Sequence, residues 1–222
     1  MRINTDFSRR VVVRPEDHEW VKSPETGVER LMLDRIGGEV ARATTIVRFQ
    51  PGSRFPEHEH GGGEEFLVLD GVFSDENGDY PAGTYVRNPV GSRHAPFSEV
   101  GATLFVKLHQ FQSGAAVQKV VDTRRAPYLQ GLVDGLSVLP LHVAGSENVA
   151  LVKWAPGTRF QAHAHWGGEE ILVLDGVFED EHGRYPKGSW IRSPHGSTHA
   201  PFTKEGALIY VKTGALPASG AA

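Results

Sequence analysis

The sequence predicts an all-β protein made of two similar units, and three observations carry that expectation. First, the 222-residue chain repeats itself: residues 52–107 align with 157–212 at a constant offset of 105, without a gap, and 34 of the 56 pairs are identical. Similarity of that degree marks a duplicated structural unit. Second, the chain is a series of short runs rich in β-branched and aromatic residues, the composition of half-buried strands. Third, 26 Gly and 14 Pro punctuate those runs, as expected where tight turns join many short elements. Short strands at this spacing fit a sandwich or a closed barrel.

Taken in order, "TTIVRF" (44–49), "EFLVLDGVF" (65–73), "GTYVRN" (83–88) and "TLFVKLHQF" (103–111) read as strands of the first copy. "PGS", "ENGD", "PAG" and "NPVGS" separate them. The second copy follows with "NVALVKW", "EILVLDGVF", "GSWIRS" and "ALIYVK". Upstream the similarity weakens and needs an indel, with "GVERLML" (27–33) resembling "GLSVLPL" (135–141). "PEDHEWV" (15–21) and "APYLQGL" (126–132) are placed as helical turns. The units are drawn at 1–113 and 114–222, and the small-residue tail "LPASGAA" is expected to fray.

Composition narrows the function. Hydrophobic residues make up 39% and charged residues 23%, with a net charge of −4 and no run of Lys or Arg, so nucleic-acid binding is not indicated. There is no cysteine, which excludes disulfides and thiolate metal sites. No segment approaches the length of a membrane span, and "MRINTDFSRRVVV" lacks an apolar stretch of signal-peptide length, so a cytoplasmic location is expected.

Chemistry concentrates in "HEHGGGEE" (58–65) and "HAHWGGEE" (163–170). Side chains alternate faces along a strand, so His58 and His60 point one way and Glu59 the other. The glycines let the chain bend before Glu64, with Phe66, Val68 and Asp70 sharing its parity. "GTYVRNPVGSRH" and "GSWIRSPHGSTH" each deliver a further histidine, His94 and His199. Three imidazoles and a carboxylate per copy (His58, His60, Glu64, His94; His163, His165, Glu169, His199) form an N/O donor set. It suits Fe, Mn, Ni, Co or Zn rather than a thiophilic ion.

These residues match a family pattern. Gly52, His58, His60, Glu64 and Gly71 fit G-x5-H-x-H-x3-E-x6-G, and Gly83, Pro89, Gly91 and His94 fit G-x5-P-x-G-x2-H. The second copy fits through Gly157, His163, His165, Glu169, Gly176, Gly188, Pro194, Gly196 and His199. The chain therefore resembles the cupin superfamily, as a double cupin: two jelly-roll β-barrels in one chain, implying a divalent metal in each, with Zn, Fe, Mn and Ni all admissible. One position departs. Where the second motif usually ends in Asn, this chain has Ser98 and Thr203, so roles of that amide do not carry over. The segment "DGVFSDENGDYPAGTYVRNPVGSRHAPFS" is similar to ChrR-type cupins, a group that includes the metal-binding half of ChrR-like anti-sigma factors and acetylacetone-dioxygenase-like enzymes.

Two functions follow from the resemblance. One is a metal-binding stress-response or small-molecule-sensing regulator with a sigma factor as partner. The usual sigma-binding helical domain with its His/Cys zinc site has no counterpart in this cysteine-free sequence. The other is an Fe(II)-dependent dioxygenase of small chelating, diketone-like compounds. Arg54 and Arg159 precede the first ligand by four residues and stand as contacts for an anionic substrate, or as surface ion pairs. Glu65 and Glu170 have the opposite parity to the ligands and are expected to be solvated or salt-bridged. Trp166, in place of Gly61, narrows the second pocket or packs under a loop. His18, His109, His142, His182 and His195 carry no pattern. The expected assembly is a monomer or homodimer.

Overall fold

Antiparallel pairing of the expected strands builds two sheets with the same order. The computed structural model describes residues 1–111 and 117–216. In the first unit, neighbours run Arg2–Ile3, Val28–Gly37, Ala41–Phe49, Ala102–Leu108, Glu64–Asp75, Thr84–Asn88, Lys119–Asp122. In the second they run Leu129–Gln130, Leu136–Ala144, Glu147–Trp154, Ala207–Thr213, Glu169–Asp180, Trp190–Ser193, Val11–Val13. The eight strands expected between residues 44 and 212 are all present within a few residues of their predicted ends. Among the described residues no helix is long and apolar enough to cross a membrane.

Each unit has its own core, filled from alternate strand positions. Val28, Phe49, Phe66, Val68, Phe73, Val86 and Leu104 pack together in the first, and Trp154, Ile171, Val173, Phe178, Tyr185 and Ile209 in the second. Phe66, Val68, Ile171 and Val173 are thus core, as their parity indicates. Asp70 departs from that parity and is exposed. The ladder shifts register between Thr103 and Leu104, so that Thr103 faces Asp70 and Leu104 faces Val68. One inserted residue turns everything beyond it to the other face.

The two helical turns fare differently. Pro15–Asp17 is a 3-10 turn. "APYLQGL" instead contributes the strand Leu129–Gln130, which pairs with Val138 and Ser137; its backbone groups find partners on a sheet edge that an isolated turn would not supply.

The compact units are not contiguous in sequence. One comprises Met1–Thr5 with Glu19–Ala126, the other Asp6–His18 with Pro127–Ala222. Val11–Val13 pairs with Trp190–Ser193, and Lys119–Asp122 pairs with Thr84–Asn88. The junction drawn at 113/114 falls among residues 112–116, outside the described residues, as does the tail beyond Leu216.

Candidate metal centres

Two very short strands in each unit bring the histidines together. His58–Glu59 pairs with Arg93–His94 in a register that sets His58 opposite His94. His163 stands opposite His199 in the same way. The Pro-Gly turn before His94 is tied to the first ligand strand by the bonds His60 N–H to Ser92 O (2.9 Å) and Gly91 N–H to His60 O (2.9 Å). Gly63 then turns the chain with φ +76°, and a Cβ there would run into the Phe111 ring; only glycine meets both demands. The turn delivers Glu64 to the first position of the long strand Glu64–Asp75, opposite Asn88. The potential ligand atoms of His58, His60, Glu64 and His94 lie within 4.8 Å of one another, as do those of His163, His165, Glu169 and His199. All eight residues singled out from the sequence thus converge in two cages.

The far side of each ring fixes its tautomer. His58 Nδ1 lies 3.0 Å from the Pro56 carbonyl, which only accepts, so Nδ1 carries the proton. Ser92 gives its hydroxyl proton to the Pro89 carbonyl (2.6 Å) and so accepts from His60 Nδ1 at 3.0 Å. His94 Nδ1 donates to Asp75 Oδ2 at 3.1 Å, while Tyr80 donates to the other oxygen at 3.1 Å. Three different acceptors leave three bare Nε2 lone pairs facing Glu64. The second unit repeats this with Gln161 O, Ser197 Oγ and Asp180 (3.0, 3.2 and 3.4 Å). Arg10 reinforces Asp180 at 3.0 Å. Such outer partners orient ligating imidazoles and raise their basicity.

A cation fits what these cages lack. Nε2 of His60, His94 and His199 and Oε2 of Glu169 are buried without a hydrogen-bond partner. His165 Nε2 stands 3.1 Å from His163 Nε2, two lone pairs directed at each other. Buried polar groups are otherwise almost always satisfied, so a shared positive ion is the complement this donor set calls for. Burial also favours the neutral rings a metal requires: it lowers His60 and takes His165 down to about 3. His94 moves the other way. Burial opposes its cation, but the bond to Asp75 and the charges of Glu64 and Asp75 outweigh that and raise it. Burial pushes Glu169 up to about 7.

The cages are not identical. Asn88 Nδ2 donates to Glu64 Oε2 at 2.8 Å and is itself held by Gln118 at 2.8 Å. The corresponding residue of the second unit is Ser193, opposite Glu169. The first cage also forms part of the wall of a cavity of about 310 Å³. Val47, Phe49, Phe55, Phe73, Leu104 and Val106 supply much of the remaining wall.

Comparison with known proteins places this geometry. The family model described as ChrR Cupin-like domain matches residues 8–112 and again 116–217. The chain belongs to the ChrR cupin-like family. Solved structures share this fold, among them a cupin 2 conserved barrel domain protein from Leptotrichia buccalis (TM-score 0.60, 12% identity, over 87% of this chain and 91% of that one). A protein described as a putative dioxygenase from Nostoc punctiforme superposes with TM-score 0.68 at 16% identity, over 100% of this chain and 84% of that one. The bacterial pirin YhhW of Escherichia coli, in complex with nickel(II), gives 0.70 at 10% identity over 95% and 100%. A mutant of Bacillus subtilis oxalate decarboxylase OxdC gives 0.62 at 14% over 91% and 76%. At these identities the likeness is one of fold. No curated protein matches the sequence significantly.

In this double cupin the remaining sequence candidates fall outside the cages. Arg54 is exposed, lies over the Phe97 ring and pairs with Glu99 at 2.5 Å; Arg159 is exposed over Phe202. Both are placed as surface cations. Glu65 is salt-bridged to Arg87 but fully buried rather than solvated. Glu170 is equally buried. Trp166 does not pack under a loop: it is 78% exposed and meets the His195 ring edge-on. At the cupin motif's Asn position, Ser98 and Thr203 donate to the backbone carbonyls of Val72 and Val177 (2.6 and 2.7 Å). Sequence reasoning missed Asp75, Asp180, Ser92, Ser197, Asn88 and His109, the last lining the cavity with φ +54°. Identity between the copies was the one available signal for the first four, and that signal does not separate partners of the ligands from turn residues.

Proposed function

We propose that this cupin is a metal-dependent dioxygenase that acts, in its first barrel, on a small chelating compound with a largely apolar body. The carrying observation is the placement of His58, His60, Glu64 and His94 on the wall of the roughly 310 Å³ apolar cavity. Cavities of that size and lining hold small molecules and fix them by a few polar groups. A divalent ion such as Fe(II) held by these four residues would supply Lewis acidity and, with O2, redox chemistry.

The chain's own residues do the rest. Pro56 O, Ser92 and Asp75 hold the three imidazoles with their lone pairs inward. Asn88 orients Glu64. Phe49, Phe55 and Phe73 surround the reacting end of the substrate and exclude water from it. The neighbour solved in complex with nickel(II) supports metal binding on this fold, and the one described as a putative dioxygenase supports the reaction class.

Oxygen consumption by Fe(II)-loaded protein with acetylacetone-like diketones tests the reading. Uptake that disappears in His60→Ala is the expected result, and uptake that survives it overturns the assignment. Binding of metal and diketone with no uptake would favour the sensing role implied by the family resemblance. A sigma-factor pull-down then examines that role.

A further inference from the structure

The two barrels share a cage but not the chemistry around it. On Val28–Gly37, Arg30 lies opposite Val47. In the second barrel the residue opposite Val152, the counterpart of Val47 at the repeat offset of 105, is Val138. Arg35 likewise lies opposite Ala43, and its counterpart opposite Asn148 is Val143. His109 donates its backbone N–H to Gly63 O, and the residue that does so toward Gly168 O is Gly214. Arg30, Arg35 and His109 all line the cavity that contains the first cage. Three nitrogen-bearing side chains of the first pocket are thus replaced by Val, Val and Gly in the second barrel.

Arg30 is the group with donors to spare. Its side chain is only 13% exposed, yet its one hydrogen-bond partner among the described residues is Glu39, at 3.0 Å and 69% exposed. A guanidinium has five donors and favours bidentate pairing with a carboxylate. Arg35 is already engaged: it donates to the carbonyls of Gly38 and Glu39 and so secures the turn that carries Glu39. Its charge also adds to that of Arg30. The pocket wall therefore holds a cation, mostly withdrawn from water, that is balanced by a solvent-facing carboxylate on an exposed turn. Glu39 lines the same cavity and occupies the place that an incoming anion would take.

We propose that Arg30 selects a negatively charged group on the ligand of the first barrel, so that this pocket takes a small apolar chelator bearing a carboxylate, which displaces Glu39. The proposal rests on the chelating-substrate reading of the cage and adds the ligand's charge to it.

The probes are acetylacetone and acetylpyruvate, which share a 1,3-diketone and differ by a methyl or a carboxylate at one end. Calorimetric titration of the Ni(II)-loaded full chain reads binding without turnover. Wild type is expected to bind acetylpyruvate about tenfold or more tightly than acetylacetone at one site per chain. Arg30→Val, which installs the residue of the second barrel, should erase that preference, with acetylpyruvate losing more affinity than acetylacetone. Arg30→Lys should keep part of it. Glu39→Gln removes the internal competitor and should tighten acetylpyruvate binding a few-fold. Equal affinity for both probes in wild type, or a preference that survives Arg30→Val, overturns the role of Arg30 and leaves the cage reading standing. If neither probe binds, the chelating-substrate reading falls, and the role of Arg30 falls with it. If Arg30→Val does not fold, the wild-type preference and the Glu39→Gln gain still decide.

Discussion

His94 and His199 each donate Nδ1 to a carboxylate, and the two carboxylates are supported differently. Asp75 accepts from Tyr80 and from the Asn77 N–H, whereas Asp180 accepts from Tyr185, the His182 N–H and Arg10. Replacing either by Asn offers the ring a group that can donate as well as accept, so the tautomer is no longer fixed. Asp75→Asn is expected to weaken metal binding at the first cage by about 10–100-fold, measured by competition against a chromophoric chelator. Asn88→Ser makes the first cage resemble the second by freeing Glu64 Oε2, and Ser193→Asn offers Glu169 an amide partner. The first should lower metal affinity and the second raise it, each by roughly tenfold; titrations showing two equal sites before and after would contradict this. The eight donors were legible because ligand spacing is strict and repeated. Their partners were not: Asp75 bonds the N–H two residues on, as turn aspartates commonly do, and only the fold reveals that His94 lies on its other oxygen.

At the scale of elements, the long strand of each barrel turns away from its partner at Gly71 and Gly176. Both have positive φ (+73° and +68°), and an added Cβ would lie 2.0 and 2.1 Å from the carbonyl oxygens of Gly101 and Gly206. Neither backbone can yield without moving a strand. Gly71→Ala or Gly176→Ala is expected to cost roughly 2–4 kcal/mol, read as a fall in melting temperature of about 5–10 °C for a chain this size. A change within about 1 °C would refute the argument. Ungapped repetition made these strands readable, since the same alternation appeared twice. Where the copies need an indel the pattern loses its second witness. Val28–Gly37 therefore shows in the sequence only as a weak resemblance to its counterpart, and the segment holding Leu129–Gln130 reads there as a helical turn. The bulges that expose Asp70 and Asp175 leave no trace in alternation, because a one-residue insertion looks like a continuing strand.

At the scale of the whole molecule, the repeat in sequence and the unit in space are cut at different places. A fragment of residues 1–113 lacks Lys119–Asp122, which pairs with Thr84–Asn88 beside the strand bearing Glu64. A fragment of residues 1–126 keeps it, together with Arg2–Ile3. Urea melts of the two should show the second to be the more stable, with the cooperative loss of one folded unit; the reverse order would place the boundary elsewhere. Deleting residues 6–18 should spare the first unit and loosen the second. It removes one of the two partner strands of Trp190–Ser193 and the Arg10 contacts with Asp180 and Tyr185. Hydrogen exchange along Trp190–Ser193 and around His199 reports that change.

The membership of Val11–Val13 in the second unit also bears on synthesis. The valines leave the ribosome early, but their hydrogen-bonding partner begins at residue 190. At ordinary translation speeds that interval is roughly 10–35 s. Throughout it the nascent chain exposes three β-branched residues with no strand to receive them, the kind of edge that invites association with another polypeptide. Two arginines immediately upstream, Arg9 and Arg10, and a third downstream, Arg14, give the waiting segment a positive charge that keeps like chains apart until its partner has been made.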